Sequence, residues 1–473
     1  MKEVPEFCAP SYNNRTANNL QRMQNFVPEK TPEGWKLISY PGYQSLSSVA
    51  NNAACRGAFY ASTGKLFSVN GNTVYQISLD GTATSRGTIS TSSGVVYFAD
   101  NGIELLIVVD GVNGYTVNLT SGSPTLIADA NFPSSPRGAA FIDGYFVVCK
   151  GSTGQFYLSQ LYDGTDWTPI QYATAEYAGD SLYAVKRLGS QLYLFGTQTI
   201  EVWYDTGNAS FPFERVNGGT INIGLGGQIS VAVFNDTAYF VGSSQTGQRP
   251  IYALSQAGIK RISTPYIESL IWNMLVPTWE GYCYSNNGHD FYVLQNTANG
   301  GALVYDITYD CWMEHVLIGT SYPLKVIVNC FDTNGEAAFA FSNTNGSIYT
   351  VKRGYNSLNG SSMTRSRTFG PIGNGTSRVF HSAIRFVFEA AFDSSPGTLF
   401  SGLSIDWTDD DGYSFSASVS PDVTITATTT GQLITVEARR LGMSAKRYYR
   451  IVCAGAAEFI FQGCYLDAQQ GPG

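Results

Sequence analysis

The sequence is poor in charge and in histidine, and it lacks the long apolar runs of membrane-spanning helices. Only 14% of its 473 residues are charged, and three are histidines. The longest apolar runs, such as LLIVV at 105–109, are too short to cross a bilayer, so membrane insertion by this chain is not expected. The first residues lack the apolar core of a signal peptide, which predicts synthesis in a reducing cytoplasm.

The motifs of common active sites are also missing. The eight cysteines form no CxxC pair, and several lie in apolar runs, which predicts free thiols in the core. No two histidines share the spacing of metal ligands, and no nucleophile elbow or Walker loop is present. The glycine-rich stretch 218–227 has no lysine or helix after it to bind phosphate. The sequence therefore predicts no catalytic residue, no cofactor and no metal site.

What the sequence has in quantity is glycine and aromatic residues. Gly occurs 50 times, Tyr 30 times and Phe 27 times, and 43% of residues are hydrophobic. Aromatic residues favour strands and glycine favours tight turns, so we expect a globular, all-β protein. The net charge of −8 makes tight binding to the phosphates of DNA unfavourable, because proteins that bind DNA in this way are usually basic.

A repeated unit accounts for most of the chain. A short apolar strand, a turn such as Asp143-Gly144 or Asn287-Gly288, a second strand and an aromatic third strand recur seven times. Equivalent third-strand positions lie 40 to 53 residues apart: Tyr75, Tyr115, Tyr157, Val202, Tyr252, Tyr305 and Tyr349. The first strands are mostly apolar, with Lys186 and Arg187 as exceptions. Seven antiparallel units of this length predict a seven-bladed β-propeller.

The regions outside the repeat complete the predicted organisation. A strand at 35–40 should pair with the unit near 324–353 and close the ring, so we expect that removing residues 1–45 destabilises the propeller. Seven strand-like segments near the C-terminus, among them 413–419, predict a β-sandwich. The predicted division is an N-terminal segment (1–52), a propeller (53–354), a polar linker (355–366), a C-terminal β-sandwich (367–468) and a disordered tail (469–473).

One stretch, IEVWYDTG at 200–207, has the DTG sequence associated with a nucleophilic aspartate. Its Asp205 aligns near Asp80, Asp163 and Asp310, which all lie at the ends of predicted strands. An aspartate at such a position stabilises a turn through its own side chain. We therefore interpret Asp205 as a turn residue.

Two charged runs have alternative interpretations. The acidic run WTDDDGYSF at 407–415 fits a hairpin turn better than a calcium loop, which would need alternating ligands. The basic run at 439–450 could face DNA or an acidic partner, or it could be a solvated hairpin. The possible partner-facing residues are Arg439, Arg440, Lys446, Arg447 and Arg450.

Several long stretches resemble one protein family. The segments QNFVPEKTPEGWKLISYPGY (24–43), LYLFGTQTIEVWYDTGNASFPFERVNGGTINIGLGG (192–227) and the end from 439 to 468 resemble the packaged-DNA stabilisation proteins of short-tailed bacteriophages. These are also called tail accessory or tail hub (nozzle) proteins. The resemblance covers nearly the whole chain, but it rests on diffuse similarity, so no contact residue is carried over.

The resemblance implies a mechanical role in the virion tail. Such proteins form a six-fold ring below the portal and its adaptor, retain the packaged DNA, hold tail fibres, spikes or a needle, and form the ejection channel. Six copies would carry a charge of −48 (6 × −8). Such a wall repels phosphates within a Debye length of about 10 Å, so double-stranded DNA would pass without sequence-specific binding.

Two other functions remain as alternatives. A propeller glycosidase or lyase would need carboxylates or histidines that converge at the mouth of the propeller. A tail-tip adhesin or glycan-binding propeller would use exposed Tyr and Trp side chains in loops.

Overall fold

The computed structural model describes residues 1–471, apart from 11–19, 104, 121, 176, 244–246, 273–278, 297–300, 317–321, 333–334, 392–402, 428–431 and 456–457. Within these residues the chain forms many small β-sheets and one short helix, so the predicted all-β class is confirmed. Five strands precede the repeated region: β1 (Lys2–Glu3), β2 (Met23–Gln24), β3 (Phe26–Thr31), β4 (Gly34–Ser39) and β5 (Gly42–Ser48).

Four antiparallel sheets follow, each with four strands in chain order. The first contains β6 (Cys55–Tyr60), β7 (Leu66–Asn70), β8 (Thr73–Ile77) and β9 (Ala83–Thr88). The second contains β10 (Tyr97–Asp100), β11 (Leu105–Val109), β12 (Gly114–Asn118) and β13 (Thr125–Leu126). The third contains β14 (Pro136–Ile142), β15 (Tyr145–Lys150), β16 (Gln155–Leu158) and β17 (Tyr172–Thr174). The fourth contains β18 (Leu182–Leu188), β19 (Gln191–Gly196), β20 (Ile200–Asp205) and β21 (Phe213–Ile221).

Three further sheets complete the repeated region. The fifth contains β22 (Gly224–Leu225), β23 (Ala232–Phe234), β24 (Thr237–Ser243), β25 (Ile251–Ser255) and β26 (Gly258–Arg261). Helix α1 (Pro265–Trp272) leads to the sixth, which contains β27 (Trp279–Asn286), β28 (His289–Asn296), β29 (Ala302–Asp306) and β30 (Cys311–Val316). The seventh contains β31 (Leu324–Asp332), β32 (Gly335–Ser342) and β33 (Ser347–Lys352), with β5 at its outer side.

These sheets pack on one another in a closed cycle. A hydrophobic cluster joins each sheet to the next, from the first and second sheets to the sixth and seventh. The cycle closes where Phe339 and Phe341 of β32 share a cluster with Leu66 of β7. First strands of neighbouring sheets contact one another at several steps of the ring, among them β10 with β14, β14 with β18, β27 with β31, and β31 with β6. A β-propeller fits this arrangement.

The N-terminal segment contributes a strand to the seventh sheet, but the residues differ from those predicted. Strand β5 pairs antiparallel with β33, from Gly42 opposite Lys352 to Ser48 opposite Ser347. The predicted closing strand, 35–40, overlaps β4, which pairs with β3 and β43 instead. Both segments have the composition of a strand, so the pattern alone did not distinguish their partners.

Ten strands follow the repeated region: β34 (Ser357–Leu358), β35 (Ser361–Ser362), β36 (Arg365–Ile372), β37 (Val379–Ala391), β38 (Leu403–Thr408), β39 (Asp422–Ala427), β40 (Gln432–Arg439), β41 (Met443–Ser444), β42 (Arg447–Cys453) and β43 (Glu458–Gln470). One sheet has the order β3-β4-β43-β37-β40-β39. The other, β2-β36-β42-β38, continues the sixth sheet because β2 pairs with β30. The backbone hydrogen bonding therefore runs without a break from the ring into the C-terminal region.

A shared core joins these two sheets to the ring. Phe369 of β36 and Phe386 of β37 lie in the same cluster as Phe291 of the sixth sheet. The N-terminal Phe7 sits at the centre, with its ring centroid 5.1 Å from those of both Phe369 and Phe386. The ring of Phe461 lies 5.3 Å from that of Phe7 on a third side. Val4, Phe7 and Cys8 of the N-terminal segment are thus part of this shared core.

A buried arginine holds this N-terminal segment in place. The Arg367 guanidinium donates to the carbonyl oxygens of Phe7 and Glu6 at 2.9 Å, Ala9 at 3.0 Å and Gln21 at 3.4 Å. Burial lowers the pKa of Arg367 to about 10. Backbone carbonyls supply the acceptors that a buried cation requires.

Several other segments differ in detail from the sequence-based expectations. Residues 355–366, expected as a linker, include β34, which pairs with β5, and β35. Strand β43 extends through Gln470 into the expected disordered tail, whose last two residues, 472–473, lie outside the described residues. The expected strand at 413–419 forms only an isolated bridge, between Val419 and Ile405. The division into domains stays a prediction.

Helix α1 was not predicted. It spans eight residues, and its start has a Pro at the first helical position and Thr264 before it, whose hydroxyl accepts from the amide of Ile267 at 3.4 Å. Such a helix is too short to produce a clear helical period in the sequence. The described residues contain no helix of a length and apolarity sufficient to span a membrane.

The cysteines agree with their interpretation as core thiols. All eight are free, and seven of them are buried, with Cys283 partly exposed. Burial raises the pKa of Cys55 and of Cys453 to about 12, which keeps both thiols protonated at neutral pH.

The closing strand should carry much of the stability of the ring. Tyr43 in β5 is 4% exposed and its ring centroid lies 5.0 Å from that of Tyr349. We expect Tyr43→Ala to lower the free energy of unfolding by about 3 kcal/mol, measured by urea denaturation, because it removes a buried ring from the closure. Gln44→Ala, an exposed neighbour in the same strand, is the control and should change it little. Equal stability of the two variants would contradict closure by β5.

Candidate functional site

The Asp205 side chain forms a turn, as interpreted from the sequence. Its Oδ1 accepts from the backbone amide of Gly207 at 2.7 Å. Asp80 and Asp163 make the same bond with the amide two residues ahead, at 2.9 and 2.8 Å. Asp310 differs, because its carboxylate binds the Lys260 amine at 2.7 Å. In the first three cases the repeated aspartate satisfies the backbone of a loop that follows a strand.

The acidic and basic runs of the C-terminal region lie beside each other. Strand β38 contains the start of the acidic run and pairs antiparallel with β42, which contains the last four residues of the basic run. Asp406 is directly opposite Arg450 in this pairing, and their side chains form a bidentate ion pair at 2.6 and 2.9 Å. Two features that looked separate in the sequence are therefore partners in one sheet.

The other ion pairs extend this arrangement. Arg447, which is 2% exposed, donates to both carboxylate oxygens of Asp409 at 2.7 Å. Its guanidinium also lies 4.9 Å from the centroid of the Trp407 ring. The Lys446 amine lies 2.6 Å from Asp411.

The remaining residues of the two runs have different surroundings. Arg439 binds Glu437 at 2.7 Å, whereas the exposed Arg440 side chain has no bonded partner among the described residues. Asp410, in the acidic turn, accepts from Ser414 and Thr408, and these hydrogen bonds lower the pKa of its carboxyl to about 2. Carboxylates thus bind four of the five candidate cations. A role of this cluster in partner binding stays a prediction.

The three histidines are buried in separate places. His289 lies 2.8 Å from a carboxylate oxygen of Asp306, and the Nε2 of His381 lies 3.0 Å from the hydroxyl of Ser444. His315 lies 2.9 Å from the side-chain oxygen of Asn25, and burial lowers its pKa to about 3. In the part of the chain that the structure describes, no group of three His, Cys, Asp or Glu side chains could hold a metal ion.

A cavity lies inside the ring, where its first strands approach one another. It has a volume of about 260 Å³ and is lined by residues of β6, β10, β14, β18 and β27, and by the segment before β23. One charged side chain, that of Lys186 in β18, is among the lining residues. In the sequence, Lys186 and Arg187 are the charged residues of the strand LYAVKRL, and no role was predicted for either of them.

The model of one protein family matches much of this chain. The family is described as "Bacteriophage P22 Gp10, beta-propeller", and the match covers residues 10–313. This includes the N-terminal strands β2 to β5 and most of the ring. The match supports a structural role in a phage particle and a propeller fold. No curated protein matches the chain significantly.

Solved structures with some similarity are all distant. A virginiamycin B lyase from Staphylococcus aureus has 14% identity and a TM-score of 0.45, over 66% of this chain and 99% of the lyase. The Pan2 WD40 domain of Neurospora crassa has 10% identity and a TM-score of 0.41, over 65% and 95% of the two chains. The WD40 propeller of Doa1 has 14% identity and a TM-score of 0.40, over 66% and 97%. Similarities at this level carry no argument about function.

The ion pairs predict that Arg447 is needed for stability. We expect Arg447→Met to lower the free energy of unfolding by roughly 2–4 kcal/mol, because the variant loses the bond to Asp409 and the stacking on Trp407. Arg440→Met is the matched control, since that side chain is exposed, and should be nearly neutral. Thermal and urea unfolding measure both variants. Unchanged stability of the Arg447 variant would mean that the cluster is not structural.

The buried His315 predicts loss of stability in acid. Its pKa is about 3 in the folded chain and about 6.5 when unfolded, so between these values only the unfolded chain takes up the proton. The free energy of unfolding should therefore fall as the pH falls below about 6.5. His315→Gln keeps a polar side chain but removes this contribution, so the stability difference between wild type and variant should shrink with acidification, by up to about 1.4 kcal/mol per pH unit. A difference that stays constant between pH 7 and pH 4 would contradict the assignment.

Proposed function

The chain belongs to the phage stabilisation family described as Bacteriophage P22 Gp10, beta-propeller, and from that membership we propose that it is a tail hub, or nozzle, of a short-tailed phage. In this proposal it joins the portal and its adaptor to the distal tail, retains the packaged DNA and lines the ejection channel. The observation that carries the proposal is the family match over residues 10–313. The role is structural and not enzymatic.

The fold supports such a mechanical role. We propose that the seven sheets are the seven blades of a closed propeller and that the two C-terminal sheets form a sandwich. A closed ring leaves few free strand edges, so it resists both unravelling and unwanted pairing. The sixth sheet continues through β2 into β36, β42 and β38, so backbone hydrogen bonds connect the ring with the proposed sandwich. Load applied to the sandwich would therefore pass into the propeller through strand hydrogen bonds.

Exposed apolar side chains favour assembly with other subunits. Ile170 and Tyr177 near the third sheet are 68% and 57% exposed, and Ile103 and Val112 near the second are 62% and 59% exposed. Apolar surface of this kind is a common feature of protein contacts. The proposed contacts are with five further copies in a hexameric ring, with portal and adaptor proteins, and with fibre, spike or needle proteins. The acidic ring would let double-stranded DNA pass without binding its sequence.

A tail-tip adhesin is the second candidate. Tyr413 is 88% exposed and Trp272 is 61% exposed, and such side chains are common in glycan and protein recognition. An adhesin would bind host cells as a free protein, whereas a hub would bind the particle. A glycosidase or lyase is less favoured, because Glu280, the carboxylate next to the cavity-lining Gly281, is bound to Lys325.

The hub proposal predicts assembly on the portal–adaptor complex. The purified chain should be monomeric or weakly associated by itself, and should join its own portal–adaptor complex in six copies, seen by negative-stain imaging and native mass measurement. Particles produced without the chain should lose DNA to nuclease, and adding the purified chain should prevent that loss. The control is Gln44→Ala, a substitution at an exposed position, which should assemble and protect DNA as the wild type does.

Two results would overturn the proposal. The first is a folded chain that never joins the portal–adaptor complex and does not protect packaged DNA. The second is binding of the free chain to host cells as monomers or trimers, which would favour the adhesin. Hydrolysis or cleavage in a panel of polysaccharide assays would favour the enzyme.

A further inference from the structure

The cavity inside the ring combines an apolar wall with a small number of polar groups. Its apolar wall includes Phe59 and Phe98, whose rings stack at 5.7 Å with an angle of 11° between their planes. Three other lining residues, Lys186, Gln228 and Tyr97, have polar side chains. Pockets of a few hundred Å³ with this composition are typical of sites for small molecules.

The Lys186 side chain is the unusual member of this lining. It is partly exposed, and Ala184, two residues earlier on the same strand, lines the cavity as well. Its amine has no hydrogen bond or ion pair with any residue that the structure describes. Desolvation lowers its pKa, so the surroundings do not compensate the charge. A cation in such surroundings is stabilised by an anion, and none of the described residues provides one.

The neighbouring charges favour an anion rather than a cation. Arg137 lies behind Gln228, with its guanidinium 3.4 Å from the amide oxygen of that residue. Glu280, which precedes the lining residue Gly281, is neutralised by Lys325 and also accepts from Gln295. The charges named here therefore sum to a positive value around the cavity, although the whole chain carries a net charge of −8.

We propose that this cavity binds a small organic carboxylate with an aromatic or branched apolar body. The ammonium group of Lys186 pairs with the carboxylate, and the apolar body packs against the rings of Phe59 and Phe98. The carboxylate supplies the opposite charge that Lys186 lacks. The apolar body of the ligand makes van der Waals contacts with the apolar wall. This inference does not depend on the role of the chain in a phage tail.

The test uses benzoate as the probe and benzyl alcohol as its uncharged analogue. Binding of each to the full chain is measured by saturation-transfer NMR and by titration calorimetry. Benzoate should bind at least ten times more tightly than benzyl alcohol. Lys186→Met, which keeps the length and removes the charge, should weaken benzoate binding at least tenfold and leave benzyl alcohol unaffected. Arg187→Met is the matched control, because Arg187 is the exposed next residue of the strand and should leave both affinities unchanged.

Several outcomes would overturn the proposal. These are no benzoate binding to wild type, equal affinity for benzoate and benzyl alcohol, and equal benzoate affinity of wild type and the Lys186 variant. The comparison of the two probes is made on the wild-type protein, so it remains decisive if the Lys186 variant does not fold. The variant should melt no lower than wild type, since it removes a charge that the fold does not compensate.

Discussion

The closure of the ring by an N-terminal strand is the constraint on which the rest of the structure depends. Each of the first six sheets has at least four strands from consecutive residues of the repeat, but the seventh has three and takes β5 from the N-terminal segment as its fourth. The residues before β5 are engaged too, because β4 pairs with β43 near the C-terminus. A short stretch of chain therefore fixes both the ring and its attachment to the C-terminal sheets. Loss of this stretch would open a strand edge in each.

The start of the chain reinforces that attachment in two chemically different ways. Phe7 fills the space between aromatic rings from three strands of the two C-terminal sheets. Arg367 binds the carbonyl oxygens on either side of it. A buried guanidinium is costly unless its donors find acceptors, and backbone carbonyls of the N-terminal segment supply them here, so this segment must keep a defined path. The ring and the C-terminal sheets then share one core instead of meeting across a flexible linker.

The positions of strands and turns could be predicted from the sequence better than the pairing between strands. The turns were predictable because Asp143, Asn235 and Asn287 have positive φ angles of 50°, 46° and 51°, the conformation that Asp and Asn tolerate in hairpins. The closing strand was placed a few residues early, since both β4 and β5 have strand-like sequences and the choice depends on distant partners. The pairing of Asp406 with Arg450 had no local signal for the same reason.

The cationic side chains differ in whether a carboxylate of the same chain binds them. In the run from 439 to 450, Arg447 and Arg450 each have a bidentate carboxylate on the neighbouring strand or turn, so their positions follow from folding alone. Lys186 has no such partner among the described residues, and it still occupies an inner strand of the ring. A partly buried charge without a partner lowers stability, and such side chains are more common where a ligand supplies the opposite charge. In this chain the unpaired Lys186 is therefore stronger evidence for binding than the cluster of paired cations.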